Sequence, residues 1–182
     1  MPPSNAALPR DLLSQLRGPF TALGLTTAAV VCLLDQASKL WLLYGFDLGE
    51  RGRVALGPVV ELVLVRNYGI SYGWFQWLGG SARWALLGLT VLAVVFLAVW
   101  LARAGSWLSG FALGLIIGGA LGNAIDRLIQ GGAVIDFVLL HAVLGGADRD
   151  WYVFNVADAA IVAGVVGLLY ESVRPDRAAK VP

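Results

Sequence analysis

Charged side chains are scarce in this sequence. Only 14% of its 182 residues are Asp, Glu, Lys or Arg, whereas 58% are apolar. A soluble domain of this length carries about 25% charged residues, which form its polar surface. The sequence lacks that polar surface, so it predicts an integral membrane protein. The formal net charge is +1 and no long basic run occurs, so nothing indicates binding to nucleic acid.

Cysteine and histidine are also nearly absent. Cys32 and His141 are the only residues of their types, which excludes an internal disulfide and leaves a zinc site dependent on carboxylates. The GxSxG, HExxH and phosphate-loop motifs are missing. A Ser–His–Asp triad would depend on His141 alone, and Cys32 in an apolar run is expected to be a small buried residue. We therefore expect neither a metal nor a cofactor.

Long apolar runs, in contrast, are abundant. A bilayer core needs roughly 20 apolar helical residues to cross it, and four segments meet this requirement. They lie at about 20–44, 84–102, 107–128 and 155–173. The first is of full membrane length and no small-residue cleavage site ends it, so we expect it to be retained. The sequence thus predicts a mainly α-helical membrane protein with four transmembrane helices.

The links between these spans differ in length and composition. The second and third spans are joined only by RAGS, at 103–106, which predicts a tight antiparallel hairpin. Residues 46–82 contain the β-branched segment VVELVLV followed by NYGISYGWFQW. These segments predict short strands and an aromatic belt near the membrane interface. Residues 129–154 pass from a Gly-rich turn through a short apolar stretch to a polar tip.

Basic residues give little information on the orientation of the spans. They are divided almost evenly between the two sides that four spans would create, whereas a strong excess would mark the cytoplasmic side. The basic tails and the short basic link agree with each other, so we expect both termini in the cytoplasm. Residues 1–182 are then a single membrane domain with cytoplasmic tails at 1–18 and 174–182 and periplasmic segments at 46–82 and 129–154.

Charges inside the spans need an explanation, because each costs about 2.5–3.5 kcal/mol at a helix centre on insertion scales. Asp35 and Lys39, in LLDQASKLW, have the i, i+4 spacing of a helical ion pair. This favours a self-neutralised pair near the membrane surface, with the Lys39 amine extending toward water. Ser38 points away from Lys39 on a helix, which argues against a Ser–Lys dyad.

A second polar group follows a stripe of glycines in GLIIGGALGNAIDRL. Glycine recurs every fourth residue at 114, 118 and 122, which predicts close approach of another helix. Asn123, Asp126 and Arg127 follow with i, i+3 and i+4 spacing and therefore share a helix face. Mutual neutralisation of Asp126 and Arg127 is one interpretation, and a polar site is the other.

Two further carboxylates have no basic residue near them in the sequence, namely Asp136 in AVIDFVLLH and Asp158 in FNVADAA. Asp136 is either a surface acid in an interfacial loop or an acid in apolar surroundings, and Asp158 is also suited to a helix N-terminus. A hairpin-like return of the intervening chain would bring both acids together. One then keeps a proton while the other ionises, as an aspartic peptidase requires for activating water and polarising a carbonyl.

Five segments carry a resemblance to one protein family. DQASK at 35–39 matches D-Q-x-S/T-K, NYGISYGWF at 67–75 matches N-x-G-x-x-F/Y-G, and GGALGNAIDR at 118–127 matches G-G-x-x-G-N-x-x-D-R. VIDF at 134–137 matches V-x-D-F, and FNVAD at 154–158 matches F-N-x-A-D. With these motifs in order over four spans, the chain resembles lipoprotein signal peptidase, also called signal peptidase II, of bacterial inner membranes.

The resemblance implies a metal-independent aspartic endopeptidase with four transmembrane helices and a small periplasmic β-rich cradle at 46–82, between the first two helices. The family cuts prolipoproteins just before a cysteine that carries diacylglyceryl. Its catalytic aspartates fall on Asp136 and Asp158. The other polar motif residues, which are expected to contact substrate or support the site, are Asp35, Lys39, Asn67, Asn123, Asp126, Arg127 and Asn155.

The same resemblance implies which molecules meet the protein. They are diacylglyceryl prolipoproteins, membrane lipid and, as inhibitors, cyclic peptide antibiotics such as globomycin; we expect a monomer. Two departures from the family pattern are small: Tyr72 stands where Phe is commoner, and the Asp136-to-Asp158 interval is somewhat long.

A small proton-coupled transporter or a structural subunit is the alternative, because charged residues within the spans would also suit a proton relay. Transporters of that kind often contain internal repeats, and none is visible here.

Overall fold

The computed structural model describes residues 18–69, 82–144 and 147–174, in which five helices and four strands are assigned. The helices are α1 (Thr21–Leu40), α2 (Leu48–Arg51), α3 (Ala82–Leu101), α4 (Trp107–Ile129) and α5 (Val156–Val173). The strands are β1 (Val54–Ala55), β2 (Val60–Asn67), β3 (Val134–Leu144) and β4 (Ala147–Phe154). A wider π-helical turn, Trp41–Gly45, extends α1.

Four of these helices are long and apolar enough to cross a membrane, namely α1 with its extension, α3, α4 and α5. This confirms the four predicted spans, with boundaries that differ by a few residues. α4 is the most enclosed of the four, and α1, α3 and α5 all pack against it. The central position of α4 explains why its sequence alternates small residues with large ones.

The predicted glycine stripe on α4 lies against the backbone of α1. A Cβ atom built on Gly114 would come within 2.5 Å of the carbonyl oxygen of Gly24, and one on Gly118 within 2.5 Å of that of Ala28. Gly119, on another face of α4, is similarly close to the backbone of α5 at Ala157. Side chains larger than hydrogen would push these helices apart, so the glycines bring three helix ends together where the polar residues lie.

The strands form one antiparallel sheet in the order β1-β2-β3-β4. The sequence predicted strands only in 46–82, and the structure adds β3 and β4 from 129–154, together with the short helix α2. The first part of β3 is buried on both faces, so it lacks the alternation of apolar and polar residues that identifies a half-exposed strand. The apolar stretch after α4 therefore gave no clear strand signal.

The sheet is anchored to the end of α1 by apolar contacts. Leu42, Leu48 and Phe137 are buried together there, with further apolar side chains from β1, β2 and α5 packed around them. Two glycines with positive φ, Gly131 and Gly132, turn the chain from α4 into β3, a backbone conformation that favours glycine. β4 leads into α5 through a single residue, so both ends of the hairpin adjoin a transmembrane helix.

Some sequence-based expectations fall outside the described residues. The predicted aromatic belt and the NYGISYGWF motif lie largely there, with only Asn67, Tyr68 and Gly69 described. Most of each predicted tail, 1–17 and 175–182, lies there as well.

Candidate active site

Asp136 is buried near the start of β3. Its side chain is 1% exposed, and each carboxylate oxygen accepts a hydrogen bond from an amide. Asn67 Nδ2 donates to Oδ2 at 3.0 Å, and Asn155 Nδ2 donates to Oδ1 at 2.7 Å. The interpretation of Asp136 as a surface acid in a loop is therefore wrong, because β3 pairs with β2 and carries this residue into the interior.

Burial is the largest influence on the acidity of Asp136, and it raises the pKa of this carboxyl group to about 6. The hydrogen bonds from Asn67 and Asn155 act in the opposite direction, whereas the negative charge of Asp158 raises the pKa further. Water solvates an exposed carboxylate better than a few amides do, which is why desolvation dominates. Asp158 is near enough to act in this way because Asn123 and Asn155 link the two carboxylates.

Asp158 lies in the first turn of α5, where it forms a capping box with Asn155. Asn155 Oδ1 accepts a hydrogen bond from the Asp158 backbone nitrogen at 2.9 Å, and Asp158 Oδ2 accepts one from the Asn155 backbone nitrogen at 3.3 Å. The prediction of a helix N-terminal acid is confirmed. The other oxygen, Oδ1, accepts from Asn123 Nδ2 at 2.8 Å, so Asp158 also belongs to the polar cluster.

Two asparagines connect the two carboxylates. Asn155 Nδ2, which donates to Asp136, also lies 3.1 Å from Asn123 Oδ1 and 3.2 Å from the carbonyl oxygen of Ile135. Asn123 in turn donates to Asp158. The amide of Asn155 therefore has two functions, because its oxygen caps α5 and its nitrogen holds Asp136.

A buried ion cluster lies directly beside this pair. Lys39 Nζ is 2.7 Å from Asp35 Oδ2 and 2.8 Å from Asp126 Oδ2, and the Lys39 side chain is only 2% exposed. The predicted pairing of Asp35 with Lys39 is confirmed. Extension of Lys39 toward water is wrong, because α4 supplies a second carboxylate inside the protein. Asp126 is thus paired with Lys39, and of the two interpretations of Asp126 and Arg127, the mutually neutralised pair is wrong.

The ion cluster fixes the backbone next to each member of the carboxylate pair. Asp126 Oδ2 accepts a hydrogen bond from the backbone nitrogen of Ile135 at 2.9 Å, and Asp35 Oδ1 accepts one from that of Ala157 at 2.9 Å. Ile135 precedes Asp136 and Ala157 precedes Asp158. The ion cluster therefore positions both aspartates through the main chain, without contacting their carboxylates in a hydrogen bond.

Gln36 is a member of the cluster that sequence reasoning missed. Its Nε2 donates to Asp126 Oδ1 at 2.9 Å and to the carbonyl oxygen of Gly122 at 3.1 Å. A polar amide inside an apolar span, next to Asp35, was the available signal. Gln36 was not identified because only charged residues within the spans were considered as candidates.

Arg127 is half-buried at the edge of the site. Its Nη1 donates to the backbone oxygen of Asn123 at 3.2 Å, and its buried Nε has no hydrogen-bond partner among the described residues. No ion pair is formed by Arg127 within the described parts of the chain. The carboxylates of Asp158, Asp126 and Asp136 nevertheless attract its positive charge. The guanidinium is thus close to the pair and has a donor that no described residue uses.

The charges of the site do not balance when every group is ionised. Four carboxylates lie in it, those of Asp35, Asp126, Asp136 and Asp158, against the two cations of Lys39 and Arg127. An excess of buried negative charge favours retention of a proton. Within residues 18–69, 82–144 and 147–174, no group of three or more His, Cys, Asp or Glu side chains is arranged to hold a metal ion.

Solved structures show the same fold. The chain is similar to a structure titled "Bacterial membrane enzyme structure by the in meso method at 2.3 A resolution", with a TM-score of 0.69, 24% identity and coverage of 90% of this chain and 96% of that one. A second bacterial membrane enzyme, solved by the same method at 1.9 Å, gives a TM-score of 0.63 and 22% identity over 86% of this chain and 96% of its own.

Sequence comparison identifies the family. The model of the family described as signal peptidase (SPase) II matches residues 27–174. A lipoprotein signal peptidase of Rhodopseudomonas palustris is 53% identical over 160 residues, which are 88% of this chain and 97% of the relative. One from Nitrobacter hamburgensis is 54% identical over 159 residues, 87% of this chain and 96% of the relative. The chain therefore belongs to the signal peptidase II family, a family of bacterial membrane peptidases.

Proposed function

We propose that this protein is an aspartic endopeptidase that removes signal peptides from diacylglyceryl-modified prolipoproteins, cutting just before the lipidated cysteine. Asp136 and Asp158 are the catalytic pair, and the nucleophile is a water molecule. The observation that supports this most directly is the shared pair of asparagines, Asn123 and Asn155, which hold the two carboxylates in one polar cluster.

The pair divides the chemistry between an acid and a base. The ionised carboxylate takes a proton from water while the water oxygen attacks the carbonyl carbon of the scissile peptide bond. The protonated carboxyl group polarises the carbonyl oxygen, and the leaving nitrogen takes up a proton when the C–N bond breaks. The raised pKa of Asp136, about 6, makes it the better candidate to carry the shared proton, although the titration belongs to the pair as a whole.

Arg127 is the best candidate to bind a carbonyl oxygen of the substrate. It lies at the edge of the pair, and its Nε is without a partner in the part of the chain that the structure describes. Both polar atoms of Asn67, in contrast, have partners, namely Asp136 and the backbone nitrogen of Gly69. These contacts favour a supporting function, in which Asn67 holds the carboxylate of Asp136. Direct contact of Asn67 with the substrate stays a prediction.

The position of the site on the helices suits a substrate that arrives from the membrane. Asp35 and Lys39 lie near the C-terminal end of α1, Asn123 lies near that of α4, and Asp158 lies at the N-terminal end of α5. The site is thus at the opposite end of the bundle from the start of α1 and the end of α5. This supports a site at the periplasmic face with both termini in the cytoplasm. Inhibition by cyclic peptides such as globomycin and a monomeric state stay predictions.

The proposal is tested by cleavage of a diacylglyceryl prolipoprotein by the purified protein in detergent. We expect the wild type to cleave with chelator present, and Asp136→Asn and Asp158→Asn each to lower kcat by on the order of 10³-fold or more while folding is kept. Each substitution removes one carboxyl group, so the pair loses either its proton donor or its general base.

Two further variants make this test specific. Asp47→Asn is the matched control, because this carboxylate is exposed and its left-handed backbone, with a φ of 53°, is one that Asn tolerates; its activity should equal that of the wild type. Asp126→Asn probes the ion cluster. An active Asp136→Asn variant beside an inactive, folded Asp126→Asn variant would point to a different catalytic pair, and a folded wild type that cleaves no lipidated precursor would contradict the peptidase itself.

A further inference from the structure

A cleft of about 350 Å³ lies at the end of the helix bundle opposite the candidate active site. Cavities of roughly 300–1,000 Å³ are typical of small-molecule sites. Half of the residues that line it are apolar and half are polar. The apolar residues are Trp100, Leu168 and Leu169, and the polar ones are Ser109, Glu171 and Ser172. Walls of this composition suit an amphipathic molecule.

Three helices begin or end at the cleft. Trp100 lies in the last turn of α3, Ser109 in the first turn of α4 and Glu171 in the last turn of α5. α3 and α5 each pack on α4, and the cleft takes wall residues from all three. A molecule in the cleft therefore contacts three helices at once.

Glu171 is the only charged residue in the wall of the cleft. Its two carboxylate oxygens accept hydrogen bonds from the hydroxyl groups of Ser106 and Ser109, at the start of α4. No cation lies within ion-pair distance of Glu171 in the ranges 18–69, 82–144 and 147–174. The charge of this half-buried carboxylate is thus hydrogen-bonded but not neutralised, and a cation in the cleft would neutralise it.

Two arginines follow the helix ends that form the cleft. The backbone nitrogen of Arg103 donates to the carbonyl oxygen of Trp100 at 2.9 Å, and that of Arg174 donates to the carbonyl oxygen of Glu171 at 3.2 Å. Both arginines are exposed, and neither forms an ion pair with a described residue. A negatively charged group at the mouth of the cleft therefore has two unpaired guanidinium groups nearby.

The apolar side of the cleft opens toward lipid. Trp100 is 43% exposed and Leu169 is 61% exposed, and both belong to candidate membrane spans. A tryptophan at the end of a span is typical of the membrane interface. The cleft thus lies where lipid headgroups meet hydrocarbon, and in the proposed orientation this is the cytoplasmic leaflet.

The charges around the cleft select between lipids. Phosphatidylethanolamine has an acyl chain for Trp100 and Leu169, a phosphate for the two arginines and an ammonium group that can donate a charge-assisted hydrogen bond to Glu171. Phosphatidylcholine has the same charges, but its quaternary nitrogen has no hydrogen to donate. Phosphatidylglycerol has no cation. A primary ammonium headgroup therefore fits the cleft best.

We propose that the cleft between the ends of α3 and α5 binds one phospholipid with a primary ammonium headgroup, and that Glu171 accepts the hydrogen bond from the ammonium group. The proposal goes beyond the proposed function and does not depend on it. The bound lipid bridges α3 and α5. Because α5 carries Asp158 at its other end, the lipid stabilises the helix that holds one of the two candidate acids.

The test measures lipid binding to the purified full chain in detergent by native mass spectrometry. Dissociation constants are determined for phosphatidylethanolamine, phosphatidylcholine and phosphatidylglycerol with identical acyl chains. We expect the wild type to bind the ethanolamine lipid about tenfold more tightly than the choline lipid, the effect of one charge-assisted hydrogen bond. Glu171→Gln should abolish this preference, because a neutral amide does not attract the ammonium group.

Glu50→Gln is the matched control for this variant. Glu50 is an exposed carboxylate on α2, beside the sheet at the other end of the molecule, so the tenfold preference should remain. Thermal unfolding gives a second readout, since a ligand that binds the folded state raises the unfolding midpoint. Phosphatidylethanolamine should raise the midpoint of the wild type and of Glu50→Gln more than that of Glu171→Gln.

A second pair of variants covers the case in which Glu171→Gln does not fold. Ser172 lines the cleft and is exposed, so Ser172→Phe fills the cleft from its open side. We expect this variant to bind phosphatidylethanolamine about tenfold more weakly. Val173→Phe changes the next residue, which is 77% exposed and is not part of the wall. It should leave the dissociation constant unchanged.

Several results would overturn the lipid site. Equal dissociation constants for the ethanolamine and choline lipids in the wild type would do so, as would a folded Glu171→Gln variant that keeps the full preference or a folded Ser172→Phe variant that keeps the full affinity. Tighter binding of phosphatidylglycerol would indicate an anion site formed by the arginines instead. Equally tight binding of soluble glycerophosphoethanolamine would show that the cleft recognises a headgroup without a lipid chain. None of these results involves peptide cleavage, so they leave the proposed function untouched.

Discussion

Two groups of buried carboxylates lie side by side in this protein, and they are stabilised in different ways. Asp35 and Asp126 share the cation of Lys39, and their remaining oxygens accept backbone or Gln36 hydrogen bonds. Among the described residues, Asp136 and Asp158 accept hydrogen bonds only from neutral amides and form no ion pair. The first group is stabilised mainly by a shared cation, whereas the second is stabilised by hydrogen bonds from neutral amides.

Under the proposed function, this difference separates the supporting acids from the catalytic ones. A carboxylate with a cation within 3 Å is held in its ionised form and has little tendency to exchange a proton. A carboxylate in apolar surroundings with amide donors alone has a proton affinity close to that needed near neutral pH. The ion cluster thus gives rigidity, and it conveys that rigidity to the pair through the backbone of Ile135 and Ala157.

The largest effect on stability is expected for Lys39→Met, which removes the shared cation. Two carboxylates then remain buried without a partner charge, and breaking a buried ion pair in this way costs about 3–5 kcal/mol. We expect a large fall in the midpoint of thermal unfolding and a low yield of folded protein. Asp136→Asn, by contrast, should leave the midpoint unchanged or higher, because it removes an unneutralised buried charge.

Arg53→Met is the matched control for this prediction, since Arg53 pairs with Glu61 and with Asp150 on the exposed side of the sheet. Solvent screens such surface pairs and they contribute little to stability. An equal fall in the unfolding midpoint for Lys39→Met and Arg53→Met would show that burial of the ion cluster has no special importance.

A smaller effect, on the pH profile, is expected for Asn67→Ala. The hydrogen bond from Asn67 lowers the pKa of Asp136, so its removal should raise that pKa and move the basic limb of the kcat/KM profile to higher pH. Arg66→Ala, which changes the adjacent exposed residue of β2, should leave the limb in place. If Asn67→Ala raises KM at every pH and the limb stays fixed, Asn67 contacts the substrate and does not tune the acid.

The sequence predicted the four spans because membrane helices require about 20 apolar residues, a property that any window of the chain reveals. It also predicted that Asp136 and Asp158 would differ from the other acids, because neither has a local cation. The pairing of Asp126 could not be predicted in this way. Its partner, Lys39, lies on another helix, and spacing rules such as i, i+4 detect only neighbours on the same helix.

A hairpin-like return between Asp136 and Asp158 was expected, but the strands β3 and β4 that form it were not predicted, for a related reason. A strand that is buried on both faces has a continuous apolar sequence, and its partner strand is identified only by the three-dimensional register. The consequence of the hairpin for the site is large, since β3 carries Asp136 and β4 leads into α5, which carries Asp158. The roles proposed for the motif residues come from the family resemblance, and local spacing alone would have left the proposed pair as one of several possibilities.

The smallest expected effect is the pH dependence of stability that Asp136 contributes. Its pKa in the folded protein, about 6, is above the ordinary value of about 3.9 for an unfolded chain. The folded state therefore binds this proton more tightly, so the stabilising contribution is complete below about pH 4 and is lost as the pH rises through 6. The unfolding midpoint of Asp136→Asn should accordingly rise relative to that of the wild type between pH 4 and 6. Asp150→Asn should show a small change of opposite sign, and only below about pH 4, because hydrogen bonding to Arg53 lowers the pKa of Asp150. Parallel curves for Asp136→Asn and the wild type would mean that Asp136 is solvated as an ordinary carboxylate, and the contrast between the two groups of acids would then disappear.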